Sequence, residues 1–291
     1  MSGNSKKKIA FNYFGGKFSY IDEIYPYFPA EFVHLVELFA GSAVLSLNYE
    51  GNCIRTLNEI NSDVTNFFKV LRDDRDELLT RLRFTPVSKK EYDDSWNCQS
   101  PDHIERARTF YVRLRQSYMG LGSQRKKKGW HLAKNKLNCK GGETVSRWNN
   151  SFEKLYEIAE ILGSNYQITN YSYEECLERI DFPEAFFYAD PPYPNESRSA
   201  HDDYKFDFTD ADHYELAERL HDIQGKVMIS GYNCDLMNEL YADWEKVVLS
   251  TKRNNYRKTP VQECIWFNYP LSHTRKAQLS LDFSEILNPT T

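Results

Sequence analysis

The sequence predicts an α/β protein with a doubly wound sheet, interrupted by a basic, mainly helical insertion domain. Three observations carry this. Short apolar runs alternate with amphipathic stretches on both sides of the chain's middle, the alternation stops between about 86 and 150, and glycines or acids stand just after several of the apolar runs. In an open α/β sheet that last position is where ligands bind. At 41% hydrophobic and 15% aromatic residues, the chain has apolar material for one large core with an insertion.

"HLVELFAGSAVLSLNY" (34 to 49) runs apolar to Gly41-Ser42 and continues with apolar residues at helical spacing, which reads as strand, tight turn, helix. A second strand ends near Leu57, with an acid at Glu59. A helix starts near Ser62 and sets Val64, Phe67, Phe68 and Leu71 on one face. Strand and helix in alternation imply a parallel sheet. From Pro86 to Asn150 the pattern gives one helix, His103 to Met119, and a loop-like stretch from Gly120 to Val145. A helix at 151 to 162 follows. Strands are expected at 166–171, 185–190, 226–232, 244–250 and 263–269, with helices at 172–179, 210–222 and 233–241. The expected organisation is a discontinuous catalytic domain (1–71 and 166–270), an insertion (72–165) and a tail (271–291).

Net charge is −5, but its distribution is uneven. From Arg106 to Arg147 twelve Lys and Arg face one acid, Glu143, so this segment carries +11 and the remainder −16. An acidic body with one concentrated basic region points to a polyanion partner. The six cysteines lie 30 or more residues apart, which excludes close C-x-x-C metal spacing and reads as packed free thiols. No run approaches the roughly 18 apolar residues of a membrane span. The N-terminus has charge without an apolar signal core, so the expected location is the cytoplasm and no membrane partner is expected.

Three strand ends carry the chemistry. After the first, Glu37-Leu38-Phe39-Ala40-Gly41-Ser42 offers a glycine for close backbone approach and a helix N-terminus; it lacks the full G-x-G-x-x-G, so alone it is also a plain packing turn. After the second, Glu59 lies roughly 20 residues beyond that glycine, where nucleotide-binding folds place a carboxylate for ribose hydroxyls. After the third comes Asp190-Pro191-Pro192-Tyr193. A nucleobase amine is a poor nucleophile because its lone pair is delocalised into the ring. A carboxylate and a backbone carbonyl, each accepting one N–H, free that pair, and prolines hold their carbonyls rigidly with no competing donor. Tyr193 adds a face for a flipped base. The competing reading is an Asp-Pro turn with an aromatic contact.

"NYFGGK" (12 to 17), "ELFAGSAVLSLN" (37 to 48), "LNEIN" (57 to 61) and "FYADPPY" (187 to 193) occur in this order, and the chain resembles the Dam-type, alpha-group (D12 class) DNA adenine-N6 methyltransferases, especially phage and prophage members. "FDFTDADHYELAERL" and "KVMISGYNCDLMNELY" look like further segments of that family, and the resemblance spans Phe11 to Asn268 except the middle of the insertion. It implies a Rossmann-like methyltransferase fold, S-adenosylmethionine as cofactor with no metal, and double-stranded DNA as partner. Such enzymes work in the cytoplasm of a bacterium or a phage-infected host cell. Some are paired with a restriction endonuclease, and nothing in the residues addresses such a partner or the target sequence. By position, Tyr13, Lys17, Glu37, Phe39, Gly41, Ser42, Glu59, Asn170, Tyr171 and Asp190 match the cofactor site, and Asp190, Pro191, Pro192 and Tyr193 the catalytic tetrapeptide. Family members often have a second glycine where this chain has Ala43, for which tighter packing is expected rather than lost binding. The insertion is the expected target-recognition region. Arg113, Arg115, Arg125, Lys126, Lys127, Lys128, Lys134 and Arg147 are its candidate DNA contacts, and Tyr118, Trp130 and Trp148 its candidate stacking residues. A small aromatic core is the alternative for those rings. Methylation of cytosine N4 or an RNA base, and DNA binding without catalysis, remain open at this point.

Overall fold

The middle strands of the central sheet are buried along nearly their whole length and therefore need cover on both faces. The computed structural model describes residues 7–13, 15–118, 129–134, 137–138, 141–194, 208–251 and 262–271. The strands are β1 (His34–Glu37), β2 (Ile54–Asn58), β3 (Leu137–Asn138), β4 (Gly141–Gly142), β5 (Tyr166–Thr169), β6 (Ala185–Ala189), β7 (Lys226–Tyr232), β8 (Glu245–Val248) and β9 (Glu263–Phe267). The helices in the first half are α1 (Ile21–Ile24), α2 (Val44–Asn48), α3 (Ser62–Asp73), α4 (Arg75–Arg83), α5 (Lys89–Ser95) and α6 (His103–Gln116). Those that follow are α7 (Glu143–Asn149), α8 (Ser151–Asn165), α9 (Tyr173–Ile180), α10 (Asp210–Asp222) and α11 (Asp235–Leu240).

Seven strands form one sheet in the order β5-β2-β1-β6-β7-β9-β8. β5, β2, β1, β6 and β7 are mutually parallel, whereas β9 runs antiparallel to both β7 and β8. The parallel sheet expected from the alternating pattern is thus corrected at β9. No crossover helix is described between β8 and β9, and adjacent strands without a crossover pair antiparallel. Alternate residues of β6 enter different cores. Ala185, Phe187 and Ala189 join Val227, Ile229, Leu216 and Trp266 on one face; Phe186 and Tyr188 join Met228, Ile265 and Phe267 on the other.

Caps fix the helix starts. Asn61, Ser88, Asp102 and Ser172 each accept a backbone N–H at the start of α3, α5, α6 and α9, and Thr209 and Asp212 close a reciprocal box on α10. The helix expected at His103 to Met119 ends at Gln116, after which Ser117 bridges to Trp130. The loop expected from 120 to 145 contains, in its described part, the β3–β4 pairing and the start of α7. Helix α5 also lies inside the stretch expected to hold a single helix before residue 145; its polar sequence, KKEYDDS, has too few apolar positions to signal a helix.

The helices of residues 72–165 do not pack a core of their own. Leu78, Leu82, Phe110, Tyr111, Trp148 and Leu155 share one cluster with Phe11, Ala43, Leu57, Phe67 and Tyr166, which belong to the sheet and its flanks. Phe11 lies edge-on to Phe110 at 5.6 Å, and Phe67 stacks on Tyr111 at 5.4 Å. The boundary drawn at residue 72 therefore crosses a continuous core. Phe110→Ala should cost about 3 to 5 kcal/mol. The loss should appear in one transition, with amide exchange accelerating in β1 and β2 as well as in α6.

Candidate active site

Asp190 follows β6, between the carboxyl ends of β1 and β7, and is held from both sides. Its Oδ1 accepts the Lys17 ammonium at 2.7 Å and the Ser230 hydroxyl at 2.9 Å, and Ser230 in turn accepts the hydroxyl of Tyr188 at 2.9 Å. Oδ2 has no partner among the described residues. Lys17 reaches this point from the Gly15-Gly16 turn. Gly15 has φ +77°, and a side chain on Gly16 would stand 3.0 Å from the Tyr13 carbonyl, so glycine is the residue that closes this turn with least strain.

Lys17 is 2% exposed, and Nζ donates to Gly15 O at 2.7 Å while also lying 3.2 Å from Glu263 Oε1. Burial alone would lower the ammonium's pKa; the charges of Asp190 and Glu263 outweigh it and hold the group above its usual value. Burial pushes the Glu263 carboxyl up, and the Lys17 charge draws it part of the way back. The Tyr193 hydroxyl donates to the same Glu263 oxygen, and its ring stands edge-on to Tyr232 at 4.5 Å with Lys17 Nζ 4.9 Å from its centroid. Burial, then the charge of Asp190, keeps that hydroxyl protonated. Pro191 is buried and Pro192 half-buried, so the tetrapeptide presents acceptors and an aromatic ring, with no N–H of its own at the prolines. Such a set can accept the hydrogens of an amine and has no donor at the prolines to compete with them.

The loops after β1, β2 and β5 form the neighbouring half. Gly41 has φ +49°, and a Cβ there would stand 2.6 Å from the Tyr13 ring, so the ring lies directly on the glycine. Glu59 accepts Gly41 N at 2.9 Å through Oε2 and Asn61 N at 3.0 Å through Oε1, which leaves each oxygen a further lone pair. Asn170 donates to the Glu59 carbonyl at 2.5 Å. Tyr171 is half-buried, with Arg179 4.8 Å from its ring centroid, and Phe39 is half-buried beside Tyr173 and Phe208. Glu37 and Ser42 are each 3% exposed and lie beneath the loop; Glu37 accepts Ser46 N at 2.6 Å. Ala43 adopts φ 53°, a left-handed conformation that strains any residue with a side chain.

Three positions that brace this site escaped the list of candidates drawn from the sequence. Glu263 opens β9, and because β9 is reversed its first residue pairs with Tyr232 at the carboxyl end of β7. Only the acid at the head of the run "ECIWF" hinted at it. Ser230 lies inside β7, in a segment noted only for its overall resemblance to the family and with no residue in it marked out. Asn58, 1% exposed, donates to the Leu38 and Tyr171 carbonyls and accepts from Thr169 Oγ1 and Tyr171 N, binding the three loops together.

The basic segment divides by direction. Arg113 turns inward, donating to Ser95 O at 2.6 Å with Asp63 at 3.3 Å, and burial lowers its pKa. Arg115 donates to the Arg147 carbonyl at 2.8 Å. Trp148 is 3% exposed and packs on Tyr111 and Phe152 within the core that the insertion shares with the sheet, in place of a small core of the insertion's own. Tyr118 and Lys134 are exposed, Arg147 is half-buried, and Trp130 is half-buried with its indole N–H on Gln116 at 3.3 Å. Arg125, Lys126, Lys127 and Lys128 lie outside the described residues. The free cysteines recorded are Cys53, Cys98, Cys176, Cys234 and Cys264, and no cluster of metal-ligating side chains occurs among the described residues. No described helix is long and apolar enough to cross a membrane.

A family model, D12 class N6 adenine-specific DNA methyltransferase, matches residues 13–255. The chain is 27% identical over 290 residues to the Type II methyltransferase M.MjaIII of Methanocaldococcus jannaschii, covering 88% of this chain and 96% of that protein. It is 25% identical over 254 residues to the DNA N-6-adenine-methyltransferase of Escherichia phage P1, covering 81% of this chain and 31% of the phage protein.

Burial lifts the Glu37 carboxyl from an ordinary 4.5 to about 7. A raised folded pKa means that the folded chain holds a proton the unfolded chain has released. Stability from this group is therefore complete below about 4.5 and lost as pH rises through about 7. Glu37→Gln removes the cost of burying a charge and keeps an acceptor for Ser46. Its stability gain over wild type, followed by denaturant titration, should approach about 3 kcal/mol above pH 7 and close as pH falls toward 4.5.

Proposed function

The chain belongs to the D12 class of N6 adenine-specific DNA methyltransferases, and on that premise we propose that it methylates N6 of an adenine flipped out of duplex DNA, with S-adenosylmethionine as donor and Asp190 as the group that activates the amine. The observation that carries this reading is the asymmetric use of Asp190. Oδ1 is taken by Lys17 and Ser230, which fixes the carboxylate in place and leaves Oδ2 for an incoming N–H.

The residues around Gly41 fit the proposed donor. Glu59 is held by two backbone amides with lone pairs to spare, as ribose hydroxyls require. Tyr13, Phe39 and Tyr171 supply apolar surface, and Asn170 secures the Glu59 backbone. S-adenosylmethionine brings a methyl group already activated by a positive sulfonium, whose sulfur keeps the electron pair of the breaking C–S bond. Asp190 Oδ2 and the Pro191 carbonyl each accept one N6 hydrogen, drawing the lone pair out of the ring for the new N–C bond. N6 then sheds one proton, which Oδ2 is placed to take. Tyr193, held by Glu263, stacks on the base.

Residues 72–165 serve as the target-recognition region, resting on the shared core. Tyr118, Trp130, Lys134 and Arg147 are its described candidates for DNA, with Arg125 and Lys126 to Lys128 as further basic residues in the same segment. The inward contacts of Arg113 and Arg115 suit them to bracing that region. The proposed workplace is the cytoplasm, where the DNA is.

Purified protein, unmethylated genomic DNA and S-adenosylmethionine should yield N6-methyladenine in one short sequence context, read by single-molecule sequencing and nucleoside analysis. Asp190→Ala should lower turnover by about a thousandfold or more while DNA affinity stays near wild type. N4-methylcytosine in the product, or substantial turnover by the variant, would overturn the assignment.

A further inference from the structure

We infer that Glu263 sets the charge at the reacting end of the cleft: its carboxylate offsets the Lys17 ammonium, so that Asp190 keeps a full negative charge toward the substrate, and the same carboxylate holds the Tyr193 ring. This rests on the function proposed above and extends it to a residue outside the tetrapeptide.

Lys17 and Asp190 alone form a neutral pair. Such a pair would face a donor that carries positive charge and an amine that acquires it, and its ammonium would repel both. Glu263 changes the balance. Lys17 Nζ donates to Gly15 O and Asp190 Oδ1, each at 2.7 Å, and lies 3.2 Å from Glu263 Oε1, so one cation is shared by two carboxylates and the cluster carries one net negative charge. Glu263 is 5% exposed and Lys17 2%, so solvent screens these charges little. Glu263 Oε1 also accepts the Tyr193 hydroxyl, which ties the stacking ring to the cluster that orients Asp190. A residue needed only to neutralise a lysine has no reason to hold that hydroxyl as well. Glu263 touches no reacting atom in this account and is a positioning residue.

Glu263→Gln keeps an acceptor for Lys17 and Tyr193 and removes only the charge. The kcat should fall roughly 10- to 100-fold, with KM for DNA unchanged. The second readout needs no turnover. By calorimetry, the variant's preference for cationic S-adenosylmethionine over neutral S-adenosylhomocysteine should drop about fivefold, because one negative charge near the sulfur has gone. The double variant Lys17→Met with Glu263→Gln drops both opposed charges and should bring the preference back toward wild type. It also decides the matter if the single variant does not fold, since it removes the buried lysine together with the second carboxylate that balances it. An unchanged preference in Glu263→Gln, or a double variant whose preference falls about fivefold or more below wild type, overturns the inference. Wild-type turnover in the same assay separates the two levels. Its absence would remove the proposed function and the inference together, whereas wild-type activity with an indifferent Glu263→Gln would remove the inference alone.

Discussion

A buried lysine held between two carboxylates is the constraint on which the catalytic end depends. Three charges within one nearly dry site are tolerable only when each finds its partners, because an isolated ion there would cost several kcal/mol. Lys17, Asp190 and Glu263 come from a turn near the start of the chain, the end of β6 and the start of β9. Their meeting requires the sheet order β6-β7-β9, the glycine turn at Gly15-Gly16, and the reversal of β9. The local conformations are thus coupled: a slip of β9 by one residue would carry Glu263 to the opposite face and leave Lys17 with one carboxylate.

That coupling explains which parts of the site could be read in advance. Gly41, Glu59 and Asp190 each follow a parallel strand, so the rule that ligands gather at carboxyl ends found them, and alternating apolar runs found all seven strands of the sheet. Glu263 broke the rule. It begins its strand, and only the pairing of Tyr232 with Glu263 shows that this beginning lies at the functional edge. Ser230 and Asn58 act through geometry that no spacing records. The basic segment was legible as charge but not as direction: Arg113 and Lys134 contribute equally to a count, yet one is bonded to Ser95 and Asp63 inside the fold and the other is exposed. Helices such as α5 were missed because most of their side chains are polar, and their position is set by contact with α6.

The turn at Ala43 shows the same priority of the site over local preference. A left-handed alanine costs about 1 kcal/mol or more relative to a relaxed backbone. Its methyl is fully buried in the cluster that also holds Ala40, Leu47 and Leu57, so the burial offsets part of that strain. The gain is geometric: Ala43 caps α2, which starts at Val44, leaving Gly41 N directed at Glu59 and the Tyr13 ring in close contact with the glycine. The tighter packing expected of alanine at this position is therefore accompanied by backbone strain that composition could not reveal.

Charge also orders the molecule on a larger scale. The body carries −16 and the segment from Arg106 to Arg147 carries +11, so phosphate is attracted to one region and repelled by the rest. An enzyme that needs a negative site for its chemistry would repel the backbone of its own substrate if that site were the first surface to meet DNA. Placing the cations on a segment that shares its core with the sheet resolves the conflict. On the proposed function the insertion would attract the duplex and hold its phosphates, so that only an uncharged base would have to enter the carboxylate-lined cleft. Base flipping would then serve electrostatics as well as access, because it separates the nucleobase from the charged backbone before the two carboxylates come into play.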